Sequence, residues 1–369
     1  MTRLLSANRL AWTGAVILLS MFSAAASVPH AHSITIRPAV PYSPRAPKAD
    51  EFGAAAGGGL TGLTAEDRKN VVLLDGDGIV YASKPDLAGE LQTPTSMEAN
   101  LLRSDDGQVF AAPALFRRSQ PAQDDTLYGI SKDKKTGPYH GVYAKPGYAY
   151  EEATVHLSSC TLMPPDIQVD KASQEDTPFV YMGGEGTHGG AVDAGFQYSP
   201  AHDNWSLFIA AEGFGYIGDP GKRFRSDQDV RLKFYIPSDD HIAVAAIGLD
   251  MDGNPITRTL VLDISRYPTT GRAPAGRAGQ PTKFGWSARG GGNVLKRLTS
   301  IAQKTQAFDT HSFARGIRWA NVKVGASPAD NHPWTNDDSG ETFNWPDTQH
   351  IVVRRRAPDD ETVGILLGR

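Results

Sequence analysis

Apolar and polar residues alternate most regularly in VDAGFQYSPAHDNWSLFIAAEGF, residues 192–214. Val192, Ala194, Phe196 and Tyr198 fall on one side of an extended strand, and Asp193, Gly195, Gln197 and Ser199 on the other, because successive strand side chains point to opposite faces. After a polar turn, Leu207, Ile209 and Ala211 alternate with Phe208, Ala210, Glu212 and Phe214. The pattern predicts a β-hairpin with its apolar face turned inward. In DVRLKFYIPS, Val230, Leu232, Phe234 and Ile236 share one face, and Arg231, Lys233 and Tyr235 the other. HIAVAAIGLDMDGNPITRTLVLDIS predicts a hairpin around Asp252 and Gly253, and NVVLLDGDGIVYAS a hairpin around Asp-Gly-Asp-Gly. NVLKRLTSIAQ fits a short amphipathic helix through Val294, Leu298 and Ile301, but its β-rich neighbourhood favours a strand. Many short strands separated by Gly, Pro and Asp predict an all-β fold. The expected architecture is an antiparallel β-sandwich or jelly roll of lectin-like type.

The ends of the chain read differently. Arg3 and Arg9 precede LAWTGAVILLSMFSAAA, an apolar run of about 17 residues with an A-x-A site at Ala24 and Ala26. This predicts a cleaved signal peptide over 1–26, hence a secreted protein, periplasmic if the host is Gram-negative, with no membrane contact after cleavage. Residues 27–66, dense in Pro, then in Gly and Ala, read as a disordered linker. A single β-sandwich domain is expected over 67–356, with its most regular part at about 138–326. The segment 90–135 is polar and loop-like. RRRAPDDETVGILLGR at the end is a last strand or, from 357, a tail.

With 369 residues and 40% hydrophobic content, the chain can bury a sizeable core. A net charge of -4 gives no electrostatic reason to expect a nucleic-acid partner. Cys160 is the only cysteine, so no intrachain disulfide forms, and it reads as a small buried hydrophobe.

Several constellations could carry chemistry. Asp193 and Gln197 share the polar side of one strand, but four residues place them about 13 Å apart, too far for one catalytic pair. Asp193 with Glu212, or with Glu185 of MGGEGTHGG, could form the two-carboxylate arrangement of a glycosidase, which needs about 5–9.5 Å. These three acids are the catalytic candidates. Asp193, Gln197, Glu212, Trp205, Trp334 and Trp345 are the ligand-binding candidates. Carboxylates and amides bond sugar hydroxyls, and aromatic rings stack on the apolar face of a pyranose. Trp334 and Trp345 belong to ADNHPWTNDDSGETFNWPDTQH, a long polar segment of the kind that often binds ligands. DMDGN fails the EF-hand pattern, because its Gly is fourth and Val261 stands at the twelfth place. Asp75 and Asp77 are as well explained as turn residues. No metal site is expected, and no cofactor beyond the option of a structural calcium. The expected function is binding of an extracellular polysaccharide or cell-surface glycan, with a secreted hydrolase, a glycosidase or a glutamic-type peptidase using carboxylates on the sheet face, as the alternative. No Gly-x-Ser-x-Gly elbow is present.

TPFVYMGGEGTHGGAVDAGFQYSPAHDNWSLFI, with the later LKRLTSIAQ and IRWANVKVG, resembles the secreted YrpD-like proteins of bacteria. The resemblance covers about residues 138–326 and implies a signal peptide and a β-rich extracellular domain. It implies no activity. VDAGFQYSP is also loosely similar to the Glu-Ala-Gly-Trp-Gln segment of neprosin-type glutamic peptidases, which are β-sandwiches. Their catalytic glutamate would fall at Asp193, where this chain has a shorter acid.

Overall fold

A computed structural model describes residues 62–74, 80–83, 137–169, 176–187, 190–211, 215–265, 285–303, 308–346 and 349–368, with five short strand pieces between 96 and 130. Among them there is no α-helix, only a 3-10 turn at Asp67–Asn70. The strands in chain order are β1 Val71–Leu74, β2 Val80–Ala82, β3 Ser96–Glu98, β4 Leu101–Arg103, β5 Val109–Ala111, β6 Arg118–Ser119, β7 Gly129–Ile130, β8 Tyr139–Ala144, β9 Tyr150–Leu157, β10 Ile167–Gln168, β11 Thr177–Glu185 and β12 Ala191–Ser199. They continue with β13 Asn204–Ala211, β14 Gly215–Arg225, β15 Gln228–Ser238, β16 His241–Leu249, β17 Pro255–Asp263, β18 Val294–Ala302, β19 Phe313–Ser327, β20 Asp330–Pro333, β21 Ser339–Trp345, β22 Ile351–Ala357 and β23 Asp360–Leu366.

Two large sheets form a β-sandwich, as the alternation predicts. One has the order β2-β1-β17-β16-β15-β9-β19-β23-β22, with β10 and β20 added beside β19. The other has seven strands in the order β14-β13-β12-β11-β18-β8-β21. Neighbours are antiparallel except β1 and β17, which pair in parallel. The expected hairpins are present. β12 pairs β13 from Val192↔Ala211 to Ser199↔Asn204, β16 pairs β17, and β1 pairs β2. NVLKRLTSIAQ supplies β18, a strand.

The core lies between the sheets. Val192, Ala194, Phe196 and Tyr198 of β12 and Val230, Leu232, Phe234 and Ile236 of β15 all point into it. Edge-to-face ring contacts knit it together. The Phe196 and Phe224 centroids are 5.1 Å apart, and those of Phe234 and Trp286 5.7 Å. Each such side chain contributes about 1.5–3 kcal/mol by leaving water.

A second apolar cluster covers the outer side of the larger sheet. Leu63, Val71 and Leu73 pack on Tyr150, Tyr235, Ala243, Ala245 and Val261. Lys233 and Tyr235, on the polar side of β15, are therefore buried, and both bond Asp67, at 2.7 and 3.0 Å. Packing already includes Gly62, ahead of the boundary at 67, because a side chain there would strike the Pro237 carbonyl. At the other end, the segment after 357 is a strand and not a tail. β23 places Val363 and Ile365 in the core and pairs with both β19 and β22.

Candidate functional site

The outward face of the seven-stranded sheet collects the polar and aromatic side chains that alternation sends away from the core. Register places Ala210, Asp193, Gly183, Lys296, Tyr143 and Glu341 in one row across β13, β12, β11, β18, β8 and β21. The next row holds Phe208, Gly195, Tyr181, Leu298, Gly141 and Phe343. The one beyond holds Ser206, Gln197, Phe179, Ser300, Tyr139 and Trp345. Glu185 lies to the other side of the first row, opposite Ala191 and Val294.

Lys296 Nζ lies 2.6 Å from Asp193 Oδ1, and both side chains are fully buried. The two residues are on strands one apart, and Gly183 between them carries no side chain, so lysine and aspartate meet across it. Lys296 Nζ also lies 5.9 Å from the centroid of the Tyr143 ring. The Tyr216 hydroxyl donates to Gln197 Oε1. Asp193 and Gln197 were expected on a polar strand face. They are on that face, but it is not open to solvent: both are buried.

Aromatic rings fill the space beside the glycines. Phe208 meets Phe179 and Tyr181 edge to face, at 5.2 and 5.9 Å, and stacks on Tyr216 at 5.3 Å. Tyr139 stacks on Trp345 at 5.9 Å, and Phe343 covers Gly141. Burial, followed by the negative charges of Glu185 and Asp193, pushes the Tyr143 hydroxyl far above its ordinary pKa. Burial and then Asp193 do the same to Tyr181. Both tyrosines therefore stay neutral phenols, able to donate a hydrogen bond at any physiological pH.

Of the predicted acids, Asp193 and Glu185 come together. Gly183 is directly opposite Asp193, so Glu185, two residues further on β11, is its diagonal neighbour. Diagonal positions on adjacent strands are about 7–8 Å apart. Glu212 lies outside the described residues. Met182, Gly183, Gly184 and Glu185 belong to β11 itself, and the rest of MGGEGTHGG connects β11 to β12 at Ala191.

Two of the three tryptophans are not placed to hold a sugar. Trp205 is fully buried in the core and donates its indole N–H to the Ser158 carbonyl at 3.0 Å. Trp334 is buried under the Arg297 guanidinium, 4.5 Å from its ring, and donates to Ser339 Oγ. Trp345 alone stands on the outward face, half-buried. The polar segment around Trp334 is a braced turn. Asp338 accepts bonds from Tyr148, Thr335 and His332.

Cys160 is exposed, not buried as expected. Its backbone N–H donates to Asp203 Oδ1, which fixes it in a surface loop. The Asp250 carboxylate of DMDGN accepts the backbone N–H groups of Asp252 and Asn254, at 3.0 and 2.8 Å, as a turn residue does. Asp75 and Asp77 lie outside the described residues. Sequence reasoning missed Lys296, Tyr143, Tyr181 and Tyr139. Their one signal was alternation within β18, β11 and β8, which shows which side a residue faces but not which strand lies next to it.

No protein-family model matches this chain, and no curated protein matches it. Among solved structures, the chain is similar to scytalido-glutamic peptidase with a peptide-based transition-state analogue, at 8% identity and a TM-score of 0.35. It is also similar to SCP-B, a member of the eqolisin peptidase family, in complex with the tripeptide Ala-Ile-His, at 8% identity and a TM-score of 0.34. Each match covers 63% of this chain and 100% of the other. Similarity this distant bears on neither activity nor individual residues.

Proposed function

We propose that the chain is a secreted hydrolase of extracellular polysaccharide, working at the outward face of the seven-stranded sheet with Asp193 and Glu185 as its two carboxylates. One observation carries this reading: the diagonal placement of the two acids on β11 and β12, whose backbones stand about 7–8 Å apart, so that their carboxyl groups can reach the separation of about 5–9.5 Å that glycoside hydrolysis uses. Asp193, with its charge balanced by Lys296, is the carboxylate that faces the developing positive charge at the anomeric carbon. Glu185 gives its proton to the leaving oxygen, while a water attacks the anomeric carbon and passes its proton to Asp193. Tyr143 and Tyr181, kept as neutral phenols, lie buried beside the two acids and shape the face around them. The reading treats the chain as an exported, YrpD-like protein.

The test is release of reducing ends from a panel of polysaccharides by the folded protein. Glu185→Gln leaves the Asp193–Lys296 pair intact and should lower kcat by a factor of about 10²–10⁴, the usual value of a general acid. Wild-type protein that releases nothing, or an active Glu185→Gln variant, would overturn the assignment. A second reading, glycan binding without chemistry, is favoured by the Tyr139–Trp345 stack on the same face. Retention on a polysaccharide that is never cut would select it.

A further inference from the structure

Strands β19, β23 and β22 close one end of the larger sheet, and β22 is its last strand. Their arginines are of two kinds. Arg318 is bonded to both oxygens of Asp360, at 2.9 and 2.8 Å, and Arg355 is bonded to Glu361, at 3.0 and 2.7 Å. Arg315 and Arg354 are exposed, and among the described residues neither has an ion-pair partner. They border a shallow groove of about 400 Å³ on the outward side of the sheet, over Gly316, Gly364, Val352 and Leu366.

Three features point to a ligand. The Arg315 guanidinium lies 4.1 Å from the centroid of the Phe313 ring, and stacking fixes its plane without consuming its N–H donors. The floor is open backbone at Gly364, where nothing lies closer than 3.8 Å to an added Cβ, beside the exposed apolar Val352, and the apolar face of a pyranose can lie on it; at Gly316 the Asp166 carboxylate stands beside the backbone. β19 and β22 are two strand spacings apart and Arg315, level with Gly364, is two residues along from Arg354, level with Thr362, so the arginine backbones stand roughly 12 Å apart, with β23 between them. Asp166 is within electrostatic reach of Arg315 but does not pair with it.

We propose that this groove binds an acidic polysaccharide. Carboxylates of a uronate-type chain pair with Arg315 and Arg354, while a pyranose ring lies over the glycine floor. Guanidinium forks match carboxylates two bonds at a time. Charges on an edge strand also discourage pairing with other chains. That role needs charge, but neither the Arg315–Phe313 stack nor a bare floor. The groove lies on the opposite outer face from Asp193, so this proposal does not rest on the hydrolytic reading.

The test is calorimetric titration of the full chain with a galacturonate hexamer at low and high salt, beside neutral maltohexaose and poly-glutamate. The expected result is binding of the galacturonate hexamer that weakens with salt, and no binding of maltohexaose. Arg315→Gln with Arg354→Gln should weaken binding at least about tenfold, and Arg354→Gln alone less, with an unchanged denaturation midpoint. Arg318→Gln, which touches an already paired group, should leave affinity within about threefold. Glu185→Gln should bind as the wild type does. Absence of hexamer binding, equal affinity in the double variant, or tighter binding of poly-glutamate would each overturn the proposal, the last by making the groove a peptide site.

Discussion

Lys296 and Asp193 show how a single missing side chain sets a site. Because Gly183 stands between them in register, an ammonium and a carboxylate from strands one apart close to 2.6 Å with no water between. Two buried charges stabilise a fold only weakly as a pair, yet each is costly when left alone. Lys296→Met should therefore destabilise the protein by about 3–5 kcal/mol, measured by urea denaturation. Adding Asp193→Asn to that variant should restore part of the loss, since the orphaned charge is then gone. A double variant less stable than Lys296→Met would show that the pair does not act as one unit.

Strands and turns are where the two sheets are tied to one another. The turn between β12 and β13 holds Asp203 at φ 46°, a left-handed conformation that an aspartate tolerates. Its carboxylate takes bonds from Ser159 and Thr161 hydroxyls, the Tyr198 hydroxyl and the Cys160 backbone, at 2.7–3.1 Å. The loop after β9, in the larger sheet, is thus pinned to a hairpin of the smaller one. Asp203→Ala should cost about 2–4 kcal/mol, because several donors lose their acceptor at once, and should speed proteolysis within 158–166. Unchanged stability and cleavage would mean that the Trp205 bond to Ser158 suffices. The hairpin itself was legible from alternation at 192–211, as were the β15 strand and the β16–β17 turn. The Asp203 clamp was not, because three of its four donors, Ser159, Cys160 and Thr161, lie more than 40 residues away in sequence. The same limit applied to the site. Alternation assigns Lys296 and Tyr143 to a polar side, where a charged strand residue reads as solvated, and only the order of strands brings them to Asp193. It also misplaced Trp205 and Trp334, since an indole beside polar residues looks alike whether it stacks on a ligand or on Arg297.

At the scale of the whole molecule, buried acids of two kinds set opposite pH slopes. Burial alone would raise Asp338 and Asp263, but hydrogen bonds from Tyr148 and Thr335 to the first, and from His241 and Ser265 to the second, outweigh it and hold both at about 2. Glu361, buried yet bonded to His140 and beside Arg297, is lowered as well. A carboxyl lowered in the folded state contributes stability above its unfolded value, and that contribution disappears as pH falls through the folded value. Glu151 behaves oppositely. It is fully buried between the sheets, and both of its oxygens are without a hydrogen-bond partner among the described residues. Burial raises it to about 8, against a smaller opposing pull from Arg297. Its contribution is complete below the ordinary value of 4.5 and shrinks as pH rises towards 8. His241, raised because Asp263 outweighs its burial, also loses its contribution as pH rises. The two sets cross in mildly acidic solution, so stability should peak near pH 4–5, fall below about 3 and decline steadily to about 8. Denaturation midpoints from pH 2 to 9 measure this. Glu151→Gln keeps the shape of the buried acid but cannot ionise, so it should flatten most of the decline between 5 and 8 and leave the acid limb unchanged. A wild-type midpoint that stays level from 5 to 9, or a variant with the same slope, would show that Glu151 does not control the alkaline side.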